Sequence, residues 1–256
     1  MKIKLSIFLV LSLLSLTLFS CRKADTTPTS ATSSPEDAAT SVILGESEDM
    51  GRDYIDSFIF FGESTTYHLK SRGVLSGGKD TKQVLGNESG TAILDRDTAS
   101  TTVILPETGE EMPFYRAIEM IKPKYLYLSF GLNGAVYKIK QGEEYFKDCY
   151  RELIRSIKEA SPKTKIILAS CYPVAENMDM SRYSLTLDEL NEAIRTLNGW
   201  TLELCEEEDL RYLDVSEAVS DESGRLRTEY QAGDGHHLTA EAYRKILEYI
   251  RTHGYR

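Results

Sequence analysis

The strongest constraint on the fold is an alternation of short apolar runs with longer amphipathic stretches over residues 54–256. Three apolar runs, at 57–61, 125–130 and 165–169, have the length of buried strands. The stretch 143–160 instead repeats apolar side chains at intervals of three and four, which is typical of one face of a helix. Strands that alternate with helices predict a parallel sheet that is covered on both faces.

The remaining elements follow from shorter signals. Residues 83–85 predict a weak second strand, and 91–105 predict an irregular or hairpin insertion. Helices are expected at 66–71, at 114–121, from the capping box of Thr186 and Glu189 to about Cys205, and after Thr239. One more strand is expected at 211–215. We therefore predict a three-layer α/β/α sandwich with a mostly parallel, flavodoxin-like sheet of about five strands.

The first twenty residues have the pattern of a secretory signal. Lys2 and Lys4 give a basic start, residues 5–19 are largely apolar, and a small residue precedes Cys21. The sequence Leu18-Phe19-Ser20-Cys21 resembles a bacterial lipobox, which implies cleavage before Cys21 and acylation of that cysteine. Simple secretion and an uncleaved anchor are the alternatives. The expected location is extracytoplasmic, with the chain anchored to the cell membrane by lipid.

The signal pattern divides the chain into three parts: a lipoprotein signal peptide at 1–20, Cys21 and a flexible Ser/Thr/Pro-rich linker at 21–50, and one domain at 51–256. The formal net charge of −10 disfavours nucleic acid as a partner. Cys149, Cys171 and Cys205 lack metal-ligand spacing and are expected to be buried apolar residues, although one pair could be bridged.

Polar residues follow two of the predicted strands, where parallel sheets bind their ligands. Ser64 comes after the strand at 57–61 and a Gly-Glu pair, at the expected start of a helix. Backbone N–H groups at a helix start can stabilise an oxyanion, which suits a nucleophile, but a capping serine fits the same position. Asn133 lies between glycines after the strand at 125–130 and can donate to a substrate or stabilise a turn.

A third polar cluster precedes the last helix. In the sequence Asp234-Gly235-His236-His237, the carboxylate stands three residues before a histidine and can bind and orient its imidazole. A polar loop that caps the helix is the alternative. Glu63, Asp234, His236 and His237 are also ligand types, but their spacing is not that of a metal site, so no metal and no cofactor is predicted.

Together, the three clusters resemble the motifs of one enzyme family. Gly62-Glu63-Ser64, Gly131-Leu132-Asn133 and Asp234-Gly235-His236-His237 are similar to the first, third and fifth blocks of the SGNH hydrolases, also called the GDSL lipase/acylhydrolase family. The resemblance covers roughly residues 54–256 and implies the fold of that family.

The resemblance also implies a catalytic triad. Ser64 is expected to be the nucleophile, His237 the general base and Asp234 the residue that orients His237. His236 is expected to point away and to line the rim of the pocket. His68 lies one helical turn beyond Ser64 and is expected on the rim or in solvent.

Three oxyanion donors are implied by the same resemblance: the N–H of Ser64, the side-chain amide of Asn133 and the N–H of a glycine after the second strand. Gly90 is the candidate for that glycine and Gly86 is the reserve. Glu63 stands where the family usually has Asp, and it is expected to support the turn.

The expected function is that of a serine esterase that forms an acyl-enzyme on an acetyl or short acyl ester, with a small molecule or glycan as substrate. Three alternatives remain at this point: a lysophospholipase or lipase-type acylhydrolase, an acyltransferase, and a non-catalytic surface-binding lipoprotein.

Overall fold

The computed structural model describes residues 41–181 and 183–255. The predicted signal peptide, Cys21 and the linker up to residue 40 lie outside the described residues. In chain order, the first elements are α1 (Gly51–Asp56), β1 (Phe58–Gly62), α2 (Ser64–Ser71), β2 (Thr102–Ile104), β3 (Glu111–Pro113), α3 (Phe114–Ile121) and β4 (Tyr125–Ser129). They are followed by α4 (Ala135–Gln141), α5 (Glu143–Ala160), β5 (Lys165–Ala169), α6 (Leu187–Glu208), β6 (Arg211–Leu213) and α7 (Ala240–Thr252).

The central sheet is parallel, with its four strands in the order β1-β4-β5-β6. Phe60 lies opposite Tyr127 in the register of β1 and β4, and Leu128 lies opposite Leu168 in that of β4 and β5. Every residue of β1 and β4 is buried. Continuous burial is what a parallel strand requires when helices cover both faces, and it explains why these strands lack alternating polar residues.

Side chains on the two faces of the sheet form two separate cores. Phe61 and Phe130 belong to the core that includes α3, α5 and α6, and Phe61 stacks on Phe114 of α3 with ring centroids 3.8 Å apart. Phe60 and Tyr127 belong to the core that includes α1, α2 and α7. The structure therefore has a helical layer on each face of the sheet, as predicted.

The predicted second strand is reduced to a single bridge, so the sheet has four strands rather than five. Val84 pairs with Phe60 through two hydrogen bonds, from Phe60 N–H to Gln83 O at 2.7 Å and from Leu85 N–H to Phe60 O at 3.0 Å. Because β4 occupies the other side of β1, this segment extends the sheet in the flavodoxin-like order. The insertion predicted at 91–105 contains β2, but its hairpin partner β3 lies beyond the predicted range.

The linker boundary predicted at residue 50 is wrong for the part of that segment that the structure describes. Tyr212 N–H donates to Val42 O at 2.9 Å, and Leu44 N–H donates to Tyr212 O at 2.8 Å, along the free edge of β6. Leu44 is buried in the core of α1, α2 and α7. The folded domain therefore begins by residue 42, because an open sheet edge and an apolar side chain hold this segment.

The three cysteines of the described domain are buried and free, which confirms the preferred interpretation of them as apolar core residues. Burial raises the pKa of the Cys205 thiol. Over residues 41–181 and 183–255, no helix has the length and apolar character needed to cross a membrane.

Candidate active site

The turn that presents Ser64 depends on a close contact between β1 and β4. A Cβ atom at Gly62 would lie 2.4 Å from the carbonyl oxygen of Ser129, so a glycine is needed where β1 ends. Helix α2 begins immediately afterwards at Ser64. As the first residue of the helix, Ser64 has no partner for its N–H in a preceding helical turn. The structure therefore has the strand-turn-helix arrangement that the sequence predicted.

Ser64, His237 and Asp234 form one hydrogen-bonded chain. Ser64 Oγ lies 3.1 Å from His237 Nε2, and His237 Nδ1 lies 2.6 Å from Asp234 Oδ2. The serine and the histidine are 173 residues apart in sequence, and the carboxyl end of the parallel sheet brings them together. A neutral imidazole that donates from Nδ1 to the carboxylate has a free lone pair on Nε2, which can accept the serine proton.

The other oxygen of Asp234 fixes the loop that carries the histidine. Asp234 Oδ1 accepts the main-chain N–H groups of His236 at 3.1 Å and of His237 at 2.9 Å. Partial burial raises the pKa of Asp234, but these hydrogen bonds and the one from the His237 ring outweigh it and hold the pKa well below its usual range. Asp234 therefore stays ionised near neutral pH, as an orienting carboxylate must.

Two further histidine rings flank His237. The ring of His236 lies 4.0 Å from it, and the ring of His68 lies 4.5 Å from it, measured between centroids. Burial and the nearby His237 lower the pKa of His68 to about 4, and the same two causes lower the pKa of His236. His68 is half-buried rather than in solvent, and its Nδ1 finds no hydrogen-bond partner among the described residues. Two neutral rings therefore enclose the proposed base.

Glu63 holds the loop that carries Asn133. It is 1% exposed, and its two carboxylate oxygens accept the N–H groups of Gly131 and Asn133, each at 2.9 Å. Burial raises the pKa of Glu63 above its usual range, and these two donors and the cation of Lys138 offset only part of that rise. Glu63, which was expected to support its own turn, therefore also holds the loop after β4 in place.

Asn133 points its side-chain amide toward the loop that carries Gly90. Asn133 Nδ2 donates to Thr91 Oγ1 at 3.2 Å. Gly90 has a left-handed φ of +66°, and its own N–H donates to Asn87 O at 3.0 Å. A Cβ atom at Gly90 would lie 2.5 Å from the ring of Tyr67. For Gly90 to serve as an oxyanion donor, its hydrogen bond to Asn87 has to open when substrate binds.

A cleft of about 400 Å³ adjoins these residues. Asn133 and His236 are among the residues that line it. Its other lining residues include Tyr137, Lys140 and Tyr183, and both tyrosines are exposed. The cleft is thus open and mixed in polarity.

A second cavity, of about 650 Å³, lies at the opposite end of the sheet. It is lined by residues that include Phe58 and Lys124, at the amino ends of β1 and β4. It is therefore remote from Ser64, which follows the carboxyl end of β1.

Asp234, His236 and His237 are also the residues that could hold a metal ion, because their ligand atoms lie within 4.8 Å of one another. Asp234 and the Nδ1 atom of His237 already bind each other at 2.6 Å. An ion at these atoms would therefore compete with the hydrogen bond that orients the histidine.

A sequence model of the GDSL-like lipase/acylhydrolase family matches residues 60–245. The matched range contains Ser64, Asn133, Asp234 and His237. The chain belongs to this family. The family is described as one of GDSL-like lipases and acylhydrolases.

The chain is also similar to two known proteins. A GDSL esterase/lipase from Oryza sativa subsp. japonica, called WDL1, is 29% identical over an alignment of 140 residues that covers 51% of this chain and 53% of the rice protein. The chain therefore spans about half the length of this curated relative. A solved structure of a proposed platelet activating factor from Streptococcus pneumonia is 20% identical, covers 76% of this chain and 82% of its own, and has a TM-score of 0.52. At that identity the likeness supports the fold.

Several residues of the site carry no recognisable signal in the sequence. Thr91 and Lys138 contact Asn133 only because a loop and a short helix fold beside it. Helix α4, which carries Lys138, was not predicted, since its seven residues are too few for a clear helical period. His68 stands one turn beyond Ser64, but its contact with His237 depends on how the last loop packs.

Proposed function

We propose that this chain is a serine esterase that works through an acyl-enzyme. The observation that carries the proposal is the hydrogen-bonded chain of Ser64, His237 and Asp234, with contacts of 3.1 and 2.6 Å. A serine, a base and an orienting carboxylate in this geometry match the requirements of nucleophilic catalysis. Asp234 is held ionised by its donors, which supports its part as the orienting group.

In the first half of the reaction, Ser64 Oγ attacks the ester carbonyl and His237 Nε2 takes the serine proton. The negative charge that develops on the carbonyl oxygen is met by the Ser64 N–H and by the amide of Asn133, whose present partner is the hydroxyl of Thr91. Gly90 adds a third donor if its N–H is released from Asn87. His237 then returns its proton to the leaving alcohol, and the acyl group stays on Ser64.

In the second half, a water molecule gives its proton to His237 and attacks the acyl-enzyme. The acid leaves as the C–O bond to Ser64 breaks, and His237 returns the proton to Ser64 Oγ. These steps need no redox chemistry and no group beyond the residues named. Transfer of the acyl group to a glycan hydroxyl would use the same steps with a different acceptor.

The proposed substrate is an acetyl or short acyl ester, carried by a carbohydrate. The cleft beside Asn133 and His236 is open, and its exposed tyrosines, Tyr137 and Tyr183, are side chains against which a sugar can pack. Lys140 in the same cleft suits a substrate with an acidic group nearby. We also propose that acylation of Cys21 anchors the enzyme at an extracytoplasmic membrane surface, where envelope and extracellular glycans are accessible.

The test is hydrolysis of p-nitrophenyl esters from acetyl to long acyl chains, together with release of acetate from O-acetylated glycans, with Ser64→Ala as the control. We expect activity to depend on Ser64 and to fall as the acyl chain lengthens. A preference for long chains or lysophospholipids would refute the short-acyl assignment and favour a lipase. A folded wild-type protein without any esterase activity would favour a binding function instead.

A further inference from the structure

Two buried charged side chains contact the main chain of Asn133. Glu63 comes from the turn before α2 and is 1% exposed. Lys138 comes from α4 and is 3% exposed. Charged groups are rarely buried this completely unless they are paired or hydrogen-bonded, because each loses its hydration. Both charges therefore lie next to a proposed oxyanion donor.

Both charges contact the main chain of Asn133. Glu63 accepts the N–H of Asn133 at 2.9 Å, and the ammonium of Lys138 donates to the carbonyl oxygen of the same residue. Glu63 also accepts the N–H of Gly131 at 2.9 Å. The peptide units on both sides of Asn133 are thus fixed by charge-assisted hydrogen bonds, which are about twice as strong as neutral ones.

The carboxylate can hold these two N–H groups only while it is ionised. Burial raises the pKa of Glu63 above its usual range, and the main-chain donors and the cation of Lys138 limit that rise. The other ionisable groups that face Glu63 are the thiol of Cys171 and the phenol of Tyr150, and burial raises the pKa of both. Since these two stay neutral near neutral pH, Lys138 supplies the positive charge that opposes the burial of Glu63.

We infer that Lys138 is a positioning residue for the reaction: it keeps Glu63 ionised and holds the Asn133 carbonyl, so that the Asn133 amide is aimed at the oxyanion. The inference rests on the proposed function, in which Asn133 is an oxyanion donor. Lys138 itself does not touch the reacting atoms; it acts through Glu63 and the loop.

The experiment compares the pH dependence of kcat and KM on p-nitrophenyl acetate in the wild type, Lys138→Met and Lys138→Arg. In Lys138→Met, Glu63 should take up a proton at higher pH, so the acid limb of kcat should move upward by about one pH unit or more. We expect kcat at its maximum to fall on the order of 10- to 100-fold, with KM little changed, because a donor misplaced by about 1 Å can cost that much. Lys138→Arg keeps the charge and should keep the wild-type acid limb.

Lys245→Met removes the same charge from the exposed surface of α7 and is the matched control. It should leave the whole profile unchanged. A Lys138→Met enzyme whose kcat falls equally at every pH, with the acid limb of the wild type, would overturn the inference, since Lys138 would then merely fill space.

A stability measurement keeps the test independent of activity. If Lys138→Met raises the pKa of Glu63 in the folded state further than burial already does in the wild type, the folded variant binds that proton more tightly than the wild type, and it loses more stability as pH rises through that pKa. The Tm deficit of Lys138→Met against wild type should therefore grow from pH 4 to pH 8. A Tm deficit that stays constant across this pH range would overturn the inference, whether or not the wild type hydrolyses esters. An inactive wild type would instead refute the proposed function.

If Lys138→Met fails to fold, Glu63→Gln/Lys138→Met removes both buried charges and should fold. We expect this double variant to have a low kcat, because a glutamine side chain offers one oxygen where the Gly131 and Asn133 N–H groups need two acceptors. A double variant with wild-type kcat would overturn the inference.

Discussion

Replacing Asp234 by asparagine tests the orientation of the proposed base more sharply than deleting either residue. Asp234 Oδ1 accepts two main-chain N–H groups, and Oδ2 accepts His237 Nδ1 at 2.6 Å. An asparagine has a single oxygen, and the two N–H groups hold it. Its NH₂ group then faces His237 Nδ1 and makes that nitrogen an acceptor, so the proton of the neutral ring moves to Nε2, which faces Ser64 at 3.1 Å.

A His237 ring that carries its proton on Nε2 cannot take the proton of Ser64. The expected loss in kcat is on the order of 10⁴-fold, which corresponds to about 5 kcal/mol of transition-state stabilisation. KM should change little, since the loop remains tied through the same main-chain donors. The loss should lessen at high pH, where hydroxide can assist the attack.

The assay is the pH dependence of kcat on p-nitrophenyl acetate, with circular dichroism to confirm folding. Asp209→Asn is the matched control, because Asp209 is exposed and has a left-handed φ of +50°, which asparagine tolerates. The control should retain full activity. A folded Asp234→Asn enzyme that loses less than about tenfold would refute the argument that this carboxylate sets the tautomer of His237.

Asn133, Gly90 and His68 each offer a further test of the site. Asn133→Ala should lower kcat by about 10²- to 10³-fold with little change in KM, as measured with the same ester, because an oxyanion donor acts in the transition state; a change confined to KM would contradict this role. Gly90→Ala should lower the free energy of unfolding by about 1–3 kcal/mol in urea titrations, because the φ of +66° is strained for alanine and its Cβ would lie 2.5 Å from the Tyr67 ring; unchanged stability would show that the loop adjusts freely. The pKa of His68 in the folded state is about 4, below its ordinary value, so the unfolded chain takes up this proton at a higher pH than the folded one. The free energy of unfolding should therefore decrease as the pH is lowered from 6.5 to 4, and it should decrease less in His68→Gln; identical pH profiles of unfolding would contradict this.

The sheet and its helical cover could be predicted because burial leaves a local pattern. The strand at Tyr125–Ser129 has no polar position before its last residue, and the capping box of Thr186 and Glu189 forms as predicted at the start of α6. The strand expected at 83–85 was less well defined, because only a single bridge to Phe60 forms there. The linker boundary was misplaced, because the burial of Leu44 depends on a distant edge strand.

Each of Ser64, Asp234 and His237 follows or precedes an element that parallel topology brings to one end of the sheet. Their contacts could be predicted because the motifs that contain them resemble those of one family. The surroundings of these residues could not. In the sequence, nothing distinguishes the half-buried His68 and the buried Lys138 from exposed polar residues, because their contacts arise only from tertiary packing. Long-range packing of this kind has no local period and therefore no signal in a single sequence.

The central claim is that Ser64 is an activated nucleophile, and labelling with a fluorophosphonate probe tests it most directly. The probe reacts with a serine only where a base can take the serine proton, so the wild-type protein should be labelled at Ser64, and Ser64→Ala should not be labelled. His237→Ala should also lose labelling, because Nε2 of His237 is the atom 3.1 Å from Ser64 Oγ. A well-folded wild-type protein that resists the probe, or one that is still labelled after Ser64→Ala, would contradict the account.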